Sequence, residues 1–198
     1  MITCIVNPSR CGSTLLLALL DKYFRISRTP NYTAEYEIID EKVGKEKMEN
    51  PPSENYLVKY QYLFTCKPLL GADKYIVLDR KDKDAWAYSS FMSFFHHHSH
   101  GPLPDKEYAC DSDLLEKHKE RMFKLLTAWE KEKKRLIDQG AHSLCYEDIR
   151  DNDTPRILEM CGFPNALDFD KDDLNLKPIL GADIPLVKMW SKPKRLVL

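Results

Sequence analysis

An α/β fold of three layers, with a central, mainly parallel sheet between helices, follows from two observations. Apolar runs of strand length alternate along the chain with segments of helical periodicity, separated by turn residues. The first run also passes through a tight, Gly-containing turn straight into an apolar helix, as a βαβ unit begins.

The strand candidates are residues 3–6, 74–79 (Lys-Tyr-Ile-Val-Leu-Asp) and 142–146 (His-Ser-Leu-Cys-Tyr), with 56–60 as a fourth. Helices are predicted over 12–23 and 82–95, each after a strand, and over 112–139 ahead of the last. In the long segment Leu115, His118, Met122, Leu125, Leu126, Trp129, Leu136 and Ile137 recur at helical spacing. Gly140 stands where a C-terminal cap belongs. The stretch Glu-Lys-Glu-Lys-Lys-Arg at 130–135 reads as a solvated face with i,i+4 pairs. Residues 41–53 are charged and end in Asn-Pro-Pro-Ser, which predicts an exposed connection, and 99–111, with Gly101, Pro102 and Pro104, predicts a loop. The Pro- and Asp-rich segment after Gly162 is expected to wrap over the sheet. With no internal repeat, residues 1–198 read as one domain.

A length of 198 residues allows a sizeable core, and a net charge of −1 supplies no global field for nucleic acid. Any anionic ligand must therefore be held by a local site. The six cysteines form no C-x-x-C pair and no zinc spacing, so they are expected as buried, reduced thiols. No apolar run approaches about 18 residues and the first strand begins at Ile2, so neither a membrane span nor a signal peptide is expected. The expected location is cytoplasmic.

The turn Asn7-Pro8-Ser9-Arg10-Cys11-Gly12-Ser13-Thr14 carries the chemistry. The first N–H groups of a helix lack intrahelical partners, and its dipole adds positive charge, so a strand–turn–helix junction attracts anions. Gly12 permits close backbone approach, Ser13 and Thr14 add hydroxyl donors, and Arg10 adds a planar cation. Against the nucleotide-triphosphate pattern G-x-x-x-x-G-K-[ST], Asn7 replaces the first Gly and Ser13 the Lys. A second basic element, Arg80-Lys81, follows the strand at 74–79 and opens the segment containing Tyr88 and Ser89. A third, Tyr146-Glu147-Asp148-Ile149, ends the last strand, where Glu147 and Asp148 also suit the cap of a following helix.

Together these three segments resemble the donor site of sulfotransferases that use 3′-phosphoadenosine-5′-phosphosulfate (PAPS), a family of P-loop NTPase-like fold. Ser9-Arg10-Cys11-Gly12-Ser13-Thr14 is similar to the 5′-phosphosulfate loop [ST]-[RK]-S-G-[ST]-[ST], with Cys11 in place of the commoner Ser. The resemblance implies that Arg80, Lys81 and Ser89 hold the 3′-phosphate; the family spacing counted from Arg80 reaches Tyr88, and from Lys81 reaches Ser89. It implies that Tyr146 lies near the adenosine. The likeness spans residues 2–149 and is greatest to bacterial members with a Glu base. The Arg-Lys-Gly loop of cytosolic members is not found; Lys192, Lys194 and Arg195 are its nearest substitutes.

The implied activity is in-line transfer of a sulfuryl group from PAPS to a hydroxyl or amine, without a metal, and with Arg10 bridging the 5′-phosphate and the leaving oxygen. The expected partner is a small-molecule or carbohydrate acceptor whose identity the sequence does not give, with neither nucleic acid nor membrane, and related enzymes are often dimers. For the base, the Lys-Thr-His motif of many cytosolic members corresponds to Lys59-Tyr60-Gln61, and Gln61 cannot accept the proton. Other branches place a Glu soon after the first helix. Glu35, in Thr-Ala-Glu-Tyr-Glu, is the expected base and Glu37 the second candidate; two apart along a strand, they are expected on one face. The cluster His-His-His-Ser-His at 96–100 is expected at the pocket rim, with His97 or His98 as a remote base. Two rivals stand beside this reading: a P-loop kinase with Asp79 holding magnesium, and a binding module without catalysis.

Overall fold

The computed structural model describes residues 1–38, 40–62, 70–95 and 112–163. Strands β1 (Ile2–Asn7), β2 (Tyr32–Ile38), β3 (Asn55–Gln61), β4 (Lys74–Asp79) and β5 (His142–Cys145) form one sheet. Among the described residues it has five strands in the order β2-β3-β1-β4-β5, and every neighbouring pair is parallel. The helices are α1 (Ser13–Ile26), α2 (Glu41–Glu49), α3 (Lys83–Phe95), α4 (Ser112–Asp138), α5 (Tyr146–Asp151) and α6 (Thr154–Met160). No helix among them is long and apolar enough to cross a membrane.

Every residue of β1 is buried, because its neighbours β3 and β4 shield its edges and helices shield its faces. Alternation divides the sheet into two faces. On one, Lys59 of β3 reaches α1, and Lys74 of β4 reaches Gly162 and the Phe163 ring just beyond α6. On the other, Tyr56 of β3 leads through Glu35 to Lys47 of α2, and Asp79 of β4 meets Lys133 of α4.

The expected strands at the centre of the sheet are present. Residues 32–38 form an edge strand, and 41–49, expected as part of a connection, form α2. Asp40 caps that helix by accepting from the Val43 N–H at 2.9 Å, and Met48 is buried beneath it. In α4 Met122, Leu126, Trp129 and Leu136 are buried as the spacing predicts, whereas Ile137 is on the exposed side. Gly140 (φ +90°) ends the helix in a Schellman motif: its N–H donates to Ile137 O at 2.9 Å, and that of Ala141 to Leu136 O at 3.0 Å. The basic stretch at 130–135 is not wholly solvated, since Lys133 turns in to Asp79. Cys4, Cys11, Cys145 and Cys161 are buried free thiols. The expectations for 99–111, the histidine cluster, Lys192, Lys194, Arg195 and the segment from 164 onward lie outside the described residues.

Candidate functional site

The loop between β1 and α1 leaves the C-terminal end of the central strand. Ser9 (φ 69°), Arg10 (φ 54°) and Gly12 (φ 80°) all take left-handed backbone, so the chain turns back sharply over the strand end. For Ser9 and Arg10 this conformation is strained, by about 1–3 kcal/mol each, and must be held by surrounding contacts. The Ser9 carbonyl accepts from the buried Trp86 indole at 2.8 Å and from the Cys11 thiol at 3.1 Å. Trp86, on α3, is a part of the site that the sequence reading missed. Its signal was an aromatic residue one turn into the helix that follows the second basic segment.

Cys11 is fully buried with its thiol turned back onto Ser9, and burial, then the charge of Asp79, pushes its ionisation well above the usual range. The Cys11 side chain is therefore directed at its own loop. At the helix start Gly12 is the N-cap and no side chain caps it, which leaves the first-turn amides of α1, with Ser13 and Thr14, to an outside acceptor.

The second basic segment folds onto this loop. Arg10 Nε donates to Ser89 Oγ at 3.3 Å, across 79 residues of sequence. The contact places Ser89 against Arg10. Arg80 is buried, and its guanidinium lies 4.8 Å over the Tyr146 ring. Burial lowers the pKa of Arg10, and the charge of Arg80 lowers it further. Lys81 takes no part in this: it is mostly exposed and its ammonium pairs with Asp148 at 3.1 Å. The expected trio is therefore Arg80 and Ser89 at the loop, with Lys81 directed to α5.

Tyr146 begins α5 instead of ending β5, and packs against Gly12. Its hydroxyl is pushed up to about 12, mainly by burial. Asp148 caps its own helix by accepting from the Cys145 N–H at 2.8 Å. Glu147 does not; it reaches across to the backbone after β4, accepting from Lys81 N at 3.0 Å and Asp82 N at 3.1 Å.

Lys59 is the second residue missed. It is 4 % exposed, and its ammonium donates to Thr14 Oγ1 at 3.1 Å. A cation supplied from β3 thus stands at the loop whose own lysine position is Ser13. Burial lowers the Lys59 pKa; Glu37 opposes that shift and Arg10 adds to it. The sequence signal was a lysine in an otherwise apolar strand, inside the segment aligned with Lys-Thr-His.

The two candidate bases part company at a bulge. From Glu35 to Ile38 β2 advances three residues while β3 advances two, from Val58 to Tyr60. The extra residue puts Glu35 and Glu37 on opposite faces, which corrects the expectation that they share one. Glu37 pairs with Lys59 at 3.4 Å and accepts from Gln61 Nε2, at the loop end of the sheet. Glu35 accepts from Tyr56 OH at 2.5 Å and from Lys47, on the face away from Lys59. The structure does not bring Glu35 to the loop.

Asp79, the residue of the kinase alternative, is already engaged. Its carboxylate accepts from Lys83 at 2.9 and 3.0 Å and from Lys133 at 2.7 Å. Burial pushes its pKa up, but these two ammonium groups outweigh that and hold it below the ordinary value.

No protein-family model, no curated protein and no solved structure matches the chain.

Proposed function

We propose that the chain is a sulfotransferase of P-loop NTPase-like fold, transferring a sulfuryl group from PAPS to a hydroxyl or amine of a small-molecule or carbohydrate acceptor. The contact between Arg10 and Ser89 carries this reading, because it joins the two anion-binding segments that the sequence suggested independently. The strand order β2-β3-β1-β4-β5, with the loop on central β1, supports the fold. The donor set suits a bisphosphorylated nucleotide: uncapped helix amides, two mutually repelling arginines and a buried lysine lose their repulsion when an anion lies among them.

In the transfer, the acceptor oxygen bonds to sulfur as the bond from sulfur to the 5′-phosphate oxygen breaks. Arg10 and the amides at Gly12, Ser13 and Thr14 hold the oxygen that gains charge. Lys59, beside Thr14, adds a second cation there. Glu37 takes the acceptor proton, in preference to Glu35, because it lies at the loop end of the sheet. A kinase reading is disfavoured because magnesium at Asp79 would have to displace two ammonium groups.

Calorimetry tests the proposal with 3′-phosphoadenosine-5′-phosphate and with ATP plus magnesium, on wild type and Arg10→Ala. The expected result is magnesium-independent binding of the bisphosphate, weakened roughly 10- to 100-fold by the substitution, as for loss of a charge-assisted contact. Preference for ATP with magnesium would overturn the reading and favour the kinase. Binding of the bisphosphate without sulfate transfer to any acceptor would favour the non-catalytic module.

A further inference from the structure

We propose that Glu147 is a positioning residue for Arg80, holding in place the turn that carries this guanidinium to the loop. The inference rests on the sulfotransferase reading only in what Arg80 is held for. Arg80 lies between the end of β4 at Asp79 and Asp82, which α3 already holds: the Asp82 carbonyl accepts from the Trp86 N–H at 3.0 Å and its side chain from the Ala85 N–H at 2.8 Å. The amides of Lys81 and Asp82 are held from another element. Glu147 Oε2 accepts from the Lys81 N–H at 3.0 Å and Oε1 from the Asp82 N–H at 3.1 Å. One carboxylate thus clamps the two consecutive amides that follow Arg80, both through charge-assisted bonds.

The neighbours of Glu147 complete the bracket. Tyr146 places its ring beneath the Arg80 guanidinium at 4.8 Å. Asp148 draws the Lys81 ammonium outward at 3.1 Å, so that of two adjacent cations only Arg80 turns inward. Asp148 also accepts from the Cys145 N–H, which anchors the start of α5 to the end of β5. Three successive residues of a short helix therefore set the backbone, the underside and the direction of the basic pair. Glu147 remains ionised to do so: burial raises its pKa, but the two amides and the charge of Arg80 bring it below its ordinary value.

The test compares wild type, Glu147→Ala and Glu147→Gln as the full chain. Calorimetry measures 3′-phosphoadenosine-5′-phosphate against adenosine 5′-phosphate, which lacks the 3′-phosphate. Glu147→Ala is expected to weaken the bisphosphate by about tenfold or more while the monophosphate stays within about twofold, and Glu147→Gln, which keeps one acceptor oxygen, to fall between them. Unchanged binding of both nucleotides, or equal weakening of both, overturns the proposal. A second measurement needs no nucleotide: the Arg80 Nε–H resonance, assigned by its loss in Arg80→Lys, should be dispersed in wild type and collapse toward the random-coil position in Glu147→Ala. An unmoved resonance overturns the proposal. If wild type fails to prefer the bisphosphate, the donor reading fails instead, and the resonance still decides the role of Glu147.

Discussion

Gly12→Ala asks the loop to hold a side chain where neither the backbone nor the space allows one. Gly12 has φ +80°, and an added Cβ would lie 2.9 Å from Cδ2 of Tyr146, 3.5 Å from its Cε2 and 3.9 Å from Cδ1 of Ile149. Left-handed backbone costs an L-residue about 1–2 kcal/mol. Overpacking against a buried ring adds about 1–3 kcal/mol, because Tyr146 is only 6 % exposed and pinned between Gly12 and Arg80. A combined cost near 3 kcal/mol corresponds, for a domain of this size, to a melting temperature lower by roughly 6–12 °C. Urea unfolding measures the loss directly. The steric part is isolated by repeating Gly12→Ala in a Tyr146→Ala background, where the ring is gone and only the backbone cost of about 1–2 kcal/mol should remain. The two substitutions are therefore expected to couple by about 1–3 kcal/mol. Equal cost of Gly12→Ala in both backgrounds would refute the close packing of Tyr146 on the loop, and with it the account of how α5 supports Arg80.

Glu37→Gln should lower sulfuryl transfer by about 100-fold or more while donor affinity is preserved, since it removes a proton acceptor and no phosphate contact. Glu35→Gln should leave turnover within a few-fold and instead cost about 0.5–1.5 kcal/mol through the weakened contacts with Lys47 and Tyr56; steady-state kinetics in which Glu35→Gln is the inactive variant would refute the assignment by the bulge. Asp79→Asn should destabilise the protein at neutral pH by about 1–3 kcal/mol, less than for a fully buried pair because Lys83 and Lys133 are 34 % and 21 % exposed. The depressed pKa of Asp79 sets the sign of the pH effect: its stabilisation is present above the unfolded value near 3.8 and is lost as pH falls through the lower folded value. The stability gap between wild type and Asp79→Asn, followed by urea titration, should accordingly narrow below about pH 4 and stay constant above about pH 5.

The central strands and the long helix were legible because their signals are local and redundant. β1 and β4 are short apolar runs beside turn residues, and α4 repeats its buried positions over several turns. Edge strand β2 and helix α2 were harder, since one carries Glu at two positions and the other has a single large buried side chain, Met48. Both are stabilised by cross-chain contacts, such as Tyr56 and Lys47 on Glu35, which leave no periodic mark. The expectation of an anion site at the loop came from Arg10, Gly12, Ser13 and Thr14, because a strand–glycine–helix junction has its chemistry in the backbone.

The sequence by itself determined an α/β chain with a parallel sheet and a tight, glycine-containing turn after its first strand, because hydrophobic period and turn chemistry act over a few residues. Only the tertiary structure decided which charges meet at that turn. It turned Arg80 inward and Lys81 outward, brought Ser89 to Arg10 and Lys59 to Thr14, and separated Glu37 from Glu35 through one extra residue. Such choices depend on strand register and on side chains arriving from distant segments. A bulge of one residue reverses the face of a side chain without altering the composition that a sequence displays.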